Sequence, residues 1–556
     1  MNHSFVLAVF FLLRDEDMRF GQLDIDPAVN PAILDTVTWD PERVRQIVHS
    51  VEPAYWSAVR EALLRERPLP CHESCTVHRG SCAGRGQTVS FLAGLADGQY
   101  VFVEITVPHN SGRLGTPIQA RALGDDLRLA VYAADGATIR QYVRAVRPDR
   151  APRALGAVPR LGIGTRMSTS VWPGIWRAMD ESRFCANAIQ NSVRELNLLE
   201  DLRAGRPARS NYLYGFGTLQ EGHTGSTFEG LWVAGVVAAL KTETQPVYGA
   251  DADHITVRRG PGGVERAKRV IDAARDYTFF TLDVSDVVDY AATADARGLV
   301  DKYATALGVV EELAAHLGRR KGDTPFDLEL SIDECPPQRD AALCLTTEAE
   351  LAFLIEELRG RGVAVTHIAP NVGIVKGQDY EGADGLAGFE ARARRLQEIA
   401  AGQGIMLDFH SGDDLGRAAR QAIGRATNGR CHFKVSPALQ VIFGQVLHEF
   451  DPQRFRLWWE DTLAYARREA AAGSEFAARC LREHESGNDP TPAPHYAVFH
   501  HYNFASVGRR DENGQFVHRK RFYDLPAEFY EQYHERIRRF LCDVAEDVFR
   551  RRPVCE

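Results

Sequence analysis

From Arg160 to Phe504 short apolar runs and amphipathic stretches take turns, and that alternation admits few folds. The runs are Arg160–Gly164, Pro246–Ile255, Tyr277–Asp286, Phe326–Glu334, Ala364–Gly373, Gly404–Gly412, Arg430–Ala438 and Tyr496–Phe504. Between them, stretches such as Glu348–Gly362 and Phe389–Gly404 carry apolar residues at helical spacing and end in glycine. Nearly continuous apolar strands separated by helices form a parallel sheet covered on both faces. Eight such units predict an α/β fold, a TIM-type (β/α)8 barrel, with a doubly wound open sheet as the alternative.

The chain has 556 residues, room for a barrel and an added module. Val89–Val107 reads as two strands joined by an Ala-Asp-Gly turn, and Asp126–Gly136 as a third strand and turn. Residues 18–155 are therefore expected to form an N-terminal α+β module. Arg144–Arg160, rich in proline and arginine, reads as its linker. The barrel is expected over 156–510, followed by a helical tail over 511–556 that packs on it. Residues 1–17 contain the apolar run Phe5–Leu13, too short to span a bilayer and without a basic segment before it. They read as a mis-called start ahead of Met18, or as a short leader. No membrane partner is expected.

Lysines and arginines number 66 against 75 acidic residues, a net charge of −9, which argues against a nucleic-acid partner. A small anion held by one or two local cations fits that balance. The ten cysteines form no dense framework and read as reduced thiols of a cytoplasmic protein. Cys71, Cys75 and Cys82, with His72 and His78 between them, lack the CxxC pairs of zinc fingers and are expected to be free thiols rather than a zinc knuckle.

In such a barrel the functional side chains stand at the C-terminal ends of the strands. Those ends carry Asp251, Asp253 and His254; Asp283 and Asp286; Asp333 and Glu334; His367 and Asn371; Asp408 and His410; His432 and Lys434; and His500 and His501. Singly, such an Asp is often a helix cap and such a His a hydrogen-bonded structural residue. Together they match a divalent-metal centre with mixed nitrogen and oxygen ligands (Zn, Mn, Ni or Co). Three neutral imidazoles, His254, His410 and His432, form the expected ligand set; Glu334, Asp283 and His410 form a second. Asp283, and His223 of a Gly-His-Thr-Gly stretch, are further candidates for contact with a substrate.

The segments GADADHI, YTFFTLDVSD, FDLELSIDE, THIAPNVGIVKGQDYEG, LDFHSGDD and CHFKVS, in this order, resemble the tagaturonate epimerase family between about Tyr212 and Phe504. The resemblance implies an α/β barrel, a divalent metal, and interconversion of D-tagaturonate and D-fructuronate, a small-molecule keto-sugar acid being the partner. It also implies residue roles: Asp253 and Glu334 as acid–base groups, His254, His410 and His432 as metal ligands, and Lys376 with Lys434 on the substrate carboxylate. The segment before residue 155 and the stretch His500–Asp524 depart from the family pattern. The inverted carbon lies β to the ketone, so retro-aldol cleavage and re-closure is one route; deprotonation and reprotonation on carbon is the other. Another metal-dependent barrel isomerase or aldolase, and a non-catalytic sugar-acid sensor, are the competing readings.

Overall fold

The structure, a computed structural model, describes residues 40–550 apart from 108–112, 125, 167–170, 205, 207–209, 214–216, 225, 293–295, 335–343, 487–492, 508, 510–516, 519–520 and 523–524. The leader expected over 1–17 lies outside the described residues.

Strands β1 (Cys75–Val77), β2 (Ala83–Arg85), β3 (Thr88–Leu95), β4 (Tyr100–Thr106), β5 (Gln119–Ala122) and β6 (Arg128–Ala133) form an antiparallel sheet in the order β1-β3-β4-β6-β5, with β2 on β3. Alternation along these strands sends side chains to two faces. Phe91, Val101 and Val103 pack under the helices Pro41–Ser50 and Pro53–Leu64. Leu92, Phe102 and Tyr132 point the other way and join the core of the rest of the chain.

The following strands are β7 (Arg160–Gly164), β8 (Cys185–Ser192), the hairpin β9 (Ser210–Leu213) and β10 (Gly217–Gln220), β11 (Tyr248–Thr256), β12 (Phe279–Asp283), β13 (Asp327–Ser331), β14 (His367–Ala369), β15 (Met406–Phe409) and β16 (His432–Val435). All but the hairpin close into an eight-stranded parallel barrel in the circular order β7-β8-β11-β12-β13-β14-β15-β16. The expected TIM-type barrel is therefore present. The helix Glu348–Gly360 shows how locally its elements are specified. Thr347 and Glu350 form a reciprocal capping box at its start, and Gly362 follows it with φ +72°.

One strand differs from expectation. Tyr496–Phe504 is not the eighth strand: it holds the helix Ala497–Tyr502, in which Val498 and Phe499 are buried with Tyr502 one turn on. The eighth strand is β8, which sequence periodicity passes over because its inward positions are polar. Its pairing with β11 skips Ala188, from Gly249↔Asn187 to Ala250↔Ile189. That irregularity turns both Asn187 and Gln190 inward, toward Arg160 and Asp253 respectively.

Barrel interiors are usually filled with branched apolar side chains. Here the buried inward positions include Arg160, Asp251, Thr281, Asp327, Glu329, His367, Asp408, His432 and Lys434. Gly162 makes room for this filling: a Cβ there would lie 2.7 Å from Gln190 Oε1 and 2.8 Å from His432 Nε2. At the foot of the barrel Arg160 Nη1 meets Asp327 at 3.0 Å. The same carboxylate accepts the backbone N–H groups of Leu155 and Gly156, each at 3.0 Å, so the stretch read as a linker is pinned across the barrel floor. Cys185, on the same floor, is disulfide-bonded, which corrects the expectation of reduced thiols throughout. Cys71, Cys75 and Cys82 are free and belong to none of the candidate metal clusters among the described residues.

The helix Ala527–Phe549 lies between the helices Trp172–Ser182 and Arg417–Thr427. Close approach there requires glycine: a Cβ on Gly174 would stand 2.7 Å from His534 O, and one on Gly424 2.7 Å from Asp547 O. Arg420 and Asp547 join that contact at 2.9 Å. Among the described residues no helix is long and apolar enough to cross a membrane.

Candidate active site

The C-terminal ends of the strands surround a cavity of about 410 Å³, within the usual ~300–1,000 Å³ of small-molecule sites. Three of its lining residues hold left-handed backbone although none is glycine: Arg166 after β7 (φ +51°), His254 in β11 (φ +56°) and Ser411 after β15 (φ +54°). Such conformations cost about 1–3 kcal/mol each and persist where the surroundings demand them. At His254 the cause is visible: pairing between β11 and β12 jumps from Ala252 to Ile255, which turns Asp253 and His254 together toward the mouth.

Lys434 is the hub of the layer beneath. Its Nζ lies 2.8 Å from Asp253 Oδ1, 3.0 Å from Glu329 Oε2, and 3.4 Å from both Asp251 and Asp408, and it donates to Thr281 Oγ1 at 2.9 Å. One ammonium cannot neutralise four buried carboxylates. Burial, opposed by Lys434 and reinforced by Asp253 and Asp408, pushes Asp251 up to about 7. Burial and Asp408 push Glu329 up to about 8. Burial works the same way on Asp253, but His254 and Lys434 outweigh it and hold that carboxyl well below the usual range.

Above the hub stand two imidazoles, His254 and His410, with ring centroids 4.5 Å apart. His254 Nδ1 lies 2.7 Å from Asp253 Oδ1, while its Nε2 is 4.0 Å from Glu334 Oε1 and makes no hydrogen bond among the described residues. His410 Nε2 meets Glu329 at 2.9 Å, and its Nδ1 meets Asp333 Oδ2 at 3.0 Å. Burial disfavours a charged His410, yet Asp333 and Glu329 prevail and raise it well above the usual imidazole range. Glu334 is gripped by Lys376 at 2.5 Å and Arg194 at 3.2 Å. Against burial, these cations hold Glu334 well below the usual carboxylate range.

Asp253, His254 and His410 offer ligand atoms within 4.8 Å of one another, as do Glu329, Asp408 and His410. The first set fits a divalent cation: it mixes nitrogen and oxygen donors, includes a buried imidazole nitrogen without a hydrogen bond, and faces the cavity. Lys434 contacts a carboxylate of each set, Asp253 in the first and Glu329 and Asp408 in the second; what separates the sets is that Glu329 is outside the cavity lining.

The structure brings together Asp253, His254, Glu334, Lys376, His410 and Lys434, all of which line the cavity. It does not bring His432 to them. That ring is fully buried one layer down, with Nδ1 2.7 Å from Asp408 and T-shaped contacts to His367 and Phe279, and burial lowers it to about 4. Strand alternation explains the separation: Lys434, two residues on, is the next inward position of β16. Asp283 is buried at the end of β12, where it accepts from Thr256 Oγ1 and the Ser285 N–H, and is outside the cavity lining. His223 packs against Phe504, itself a lining residue. Arg194, Gln190, Ser192 and Arg166 were missed, because β8 was missed and Arg166 follows a strand end with no motif. Asn187–Ser192 does not alternate between polar and apolar residues, so no period-two signal marks β8. Asp413 Oδ2 accepts from Ser436 N and Ala438 N at the start of the helix Pro437–Phe450.

Residues 293–472 match the family model described as tagaturonate epimerase, which bears out the resemblance read in the sequence. The matched stretch carries β13 to β16 and thus Glu334, Lys376, His410 and Lys434, but stops short of Asp253 and His254. A glycerol-bound crystal structure of the fructuronate-tagaturonate epimerase from Cohnella laeviribosi superposes with a TM-score of 0.58 at 18% identity, covering 90% of this chain and 99% of that one. The native crystal structure of the same protein gives 0.56 at 19% identity, covering 89% and 99%. No curated protein sequence matches the chain.

Proposed function

We propose, from a chain that carries the tagaturonate epimerase signature across half its barrel and shares its fold with a fructuronate-tagaturonate epimerase, that this protein is an isomerase that epimerises a keto-uronate, with D-tagaturonate and D-fructuronate as the substrate pair. The observation that carries the reading is the pairing, in one cavity, of a carboxylate-binding end with a cation-seeking end. Arg194 and Lys376 converge on Glu334, and Asp253, His254 and His410 converge on one another.

Asp253, His254 and His410 are the residues that would hold a divalent cation. When bound, the metal supplies Lewis acidity to the ketone of the substrate. The protein's own groups do the rest. Arg194 and Lys376 release Glu334 in part to grip the substrate carboxylate by charge-assisted hydrogen bonds. Asp253, kept anionic by His254 and Lys434, accepts the proton of the hydroxyl on the carbon to be inverted. Glu334 holds the two cations in place.

The test is proton NMR of D-tagaturonate and of D-fructuronate with the purified protein, loaded in turn with Zn, Mn, Ni and Co. Each substrate is expected to relax to the same mixture of the two. No conversion with any of the metals would refute the reading. Running the reaction in D2O separates the routes: retro-aldol chemistry keeps the hydrogen on the inverted carbon, whereas deprotonation and reprotonation replaces it with deuterium.

A further inference from the structure

Inversion at a hydroxyl carbon by cleavage and re-closure needs proton handling on two faces, one for the departing alkoxide geometry and one for the new one. Asp253 and Glu334 stand on one side of the barrel mouth. They bracket a single imidazole, His254, at 2.7 and 4.0 Å, and come from β11 and the end of β13, on either side of β12. In the ring of eight strands, β15 stands opposite β11 and β7 stands opposite β13.

That opposite arc carries its own titratable pair. After β15, Asp414 Oδ1 lies 3.0 Å from His500 Nε2, and Asp414 Oδ2 accepts the Gly377 N–H at 2.8 Å. The neighbouring Asp413 fastens the turn to the helix after β16. Both His500 and Asp414 line the cavity, and the contact with Asp414 uses one of the two ring nitrogens of His500, Nε2. The loop that bears Lys376 abuts the same helix: a Cβ on Gly377, at φ +79°, would lie 2.5 Å from the His501 ring. A buried carboxylate that fixes one nitrogen of a cavity-lining imidazole is the arrangement that orients a proton-transferring histidine.

We propose that His500, oriented by Asp414, is the acid–base group of the second face, a role that rests on the epimerase reading. In the forward direction the hydroxyl proton passes to Asp253, the O–H pair becomes the second bond of the aldehyde carbonyl, and the carbon–carbon pair passes to the enolate. After the aldehyde turns over, the enolate pair re-forms the bond, the carbonyl pair returns to oxygen, and that oxygen takes a proton from the His500 imidazolium. One proton leaves the substrate and one enters, and the reverse reaction exchanges the roles. Four charged or titratable groups surround His500: Asp414, Asp413, Arg166 and His501. Burial and Arg166 oppose its charge, but the two carboxylates outweigh them, so it titrates above the usual imidazole range.

The experiment compares the metal-loaded wild type with His500→Ala, His500→Gln and Asp414→Asn by NMR turnover from pH 5 to 9, with metal content and Tm recorded for each. His500→Ala is expected to lower kcat about 10²–10³-fold with KM and metal content little changed, and added imidazole to restore part of kcat. His500→Gln, closer in volume, carries the same test should the alanine variant misfold. In Asp414→Asn the alkaline limb of the forward kcat profile is expected to move to lower pH, a shift that a merely structural contact would not produce. Turnover within threefold of wild type in the folded His500 variants, or an unmoved limb in Asp414→Asn, overturns the role and leaves the epimerase reading intact. A wild type that converts neither keto-uronate overturns the reading and this role with it.

Discussion

The ammonium of Lys434 stands 2.8 Å from Asp253 Oδ1, joining the proposed reacting carboxylate to a layer of acids that has no other lysine among the described residues. Removing one partner of a buried charge cluster leaves the others uncompensated, a loss of about 3–5 kcal/mol. Lys434→Met is therefore expected to lower Tm by roughly 5 °C or more, with a smaller loss at pH 5, where the raised carboxyls are protonated. A melting curve like that of the wild type at pH 8 would show that the hub does not hold the layer together.

Metal content distinguishes two imidazoles from three. His254→Ala and His410→Ala are each expected to lose the bound divalent cation, whereas His432→Asn and Glu334→Gln keep it. Elemental analysis after gel filtration is the measurement. Loss of the metal in folded His432→Asn would restore the three-imidazole set against the geometry of the barrel. Glu334→Gln, which retains metal, is expected to be nearly inactive.

Arg194 and Lys376 define the carboxylate end of the cavity. Each charge-assisted hydrogen bond is worth about 1.5–3 kcal/mol, so Arg194→Met and Lys376→Met should each raise KM for a keto-uronate by about 10–100-fold. The corresponding neutral ketohexose should be a poor substrate for the wild type and no worse for the variants. Equal losses on both substrates would move the carboxylate elsewhere.

Asp413 provides a pH test away from the proposed ligands. Burial first, then Asp414, lifts its carboxyl to about 6, above the ~3.9 of an unfolded chain. A raised acid binds its proton more tightly in the folded state. The resulting stabilisation is full below about pH 4 and is lost as pH rises through about 6. The Tm of the wild type is expected to decline across that window relative to Asp413→Asn. Parallel Tm curves from pH 4 to 7 would mean that the carboxyl is not raised.

Much of this was legible in the sequence, for a physical reason. β11, β12, β13, β15 and β16 carry charged or titratable residues near or just past their C-terminal ends, the ends a parallel barrel presents to a ligand, so Asp253, His254, Glu334, His410 and Lys434 could be read one strand at a time. Two things could not. His432 and Lys434 occupy successive inward positions of one strand, and depth in a barrel is invisible to residue type alone. β8 hid because its inward side chains are Asn187 and Gln190, while Val498, Phe499 and Tyr502 imitated a strand with the apolar face of a short helix. Arg194, which follows β8, was lost with it.

The wedging of Ala527–Phe549 between two helices some 250 residues apart in the chain, Trp172–Ser182 and Arg417–Thr427, bears on how the molecule is made. Until that segment emerges from the ribosome, the flank against which Ile537, Leu541 and Val544 settle stays open and greasy. Completion of the outer wall thus waits for that segment, and a nascent chain arrested before Ala527 would present this seam to chaperones.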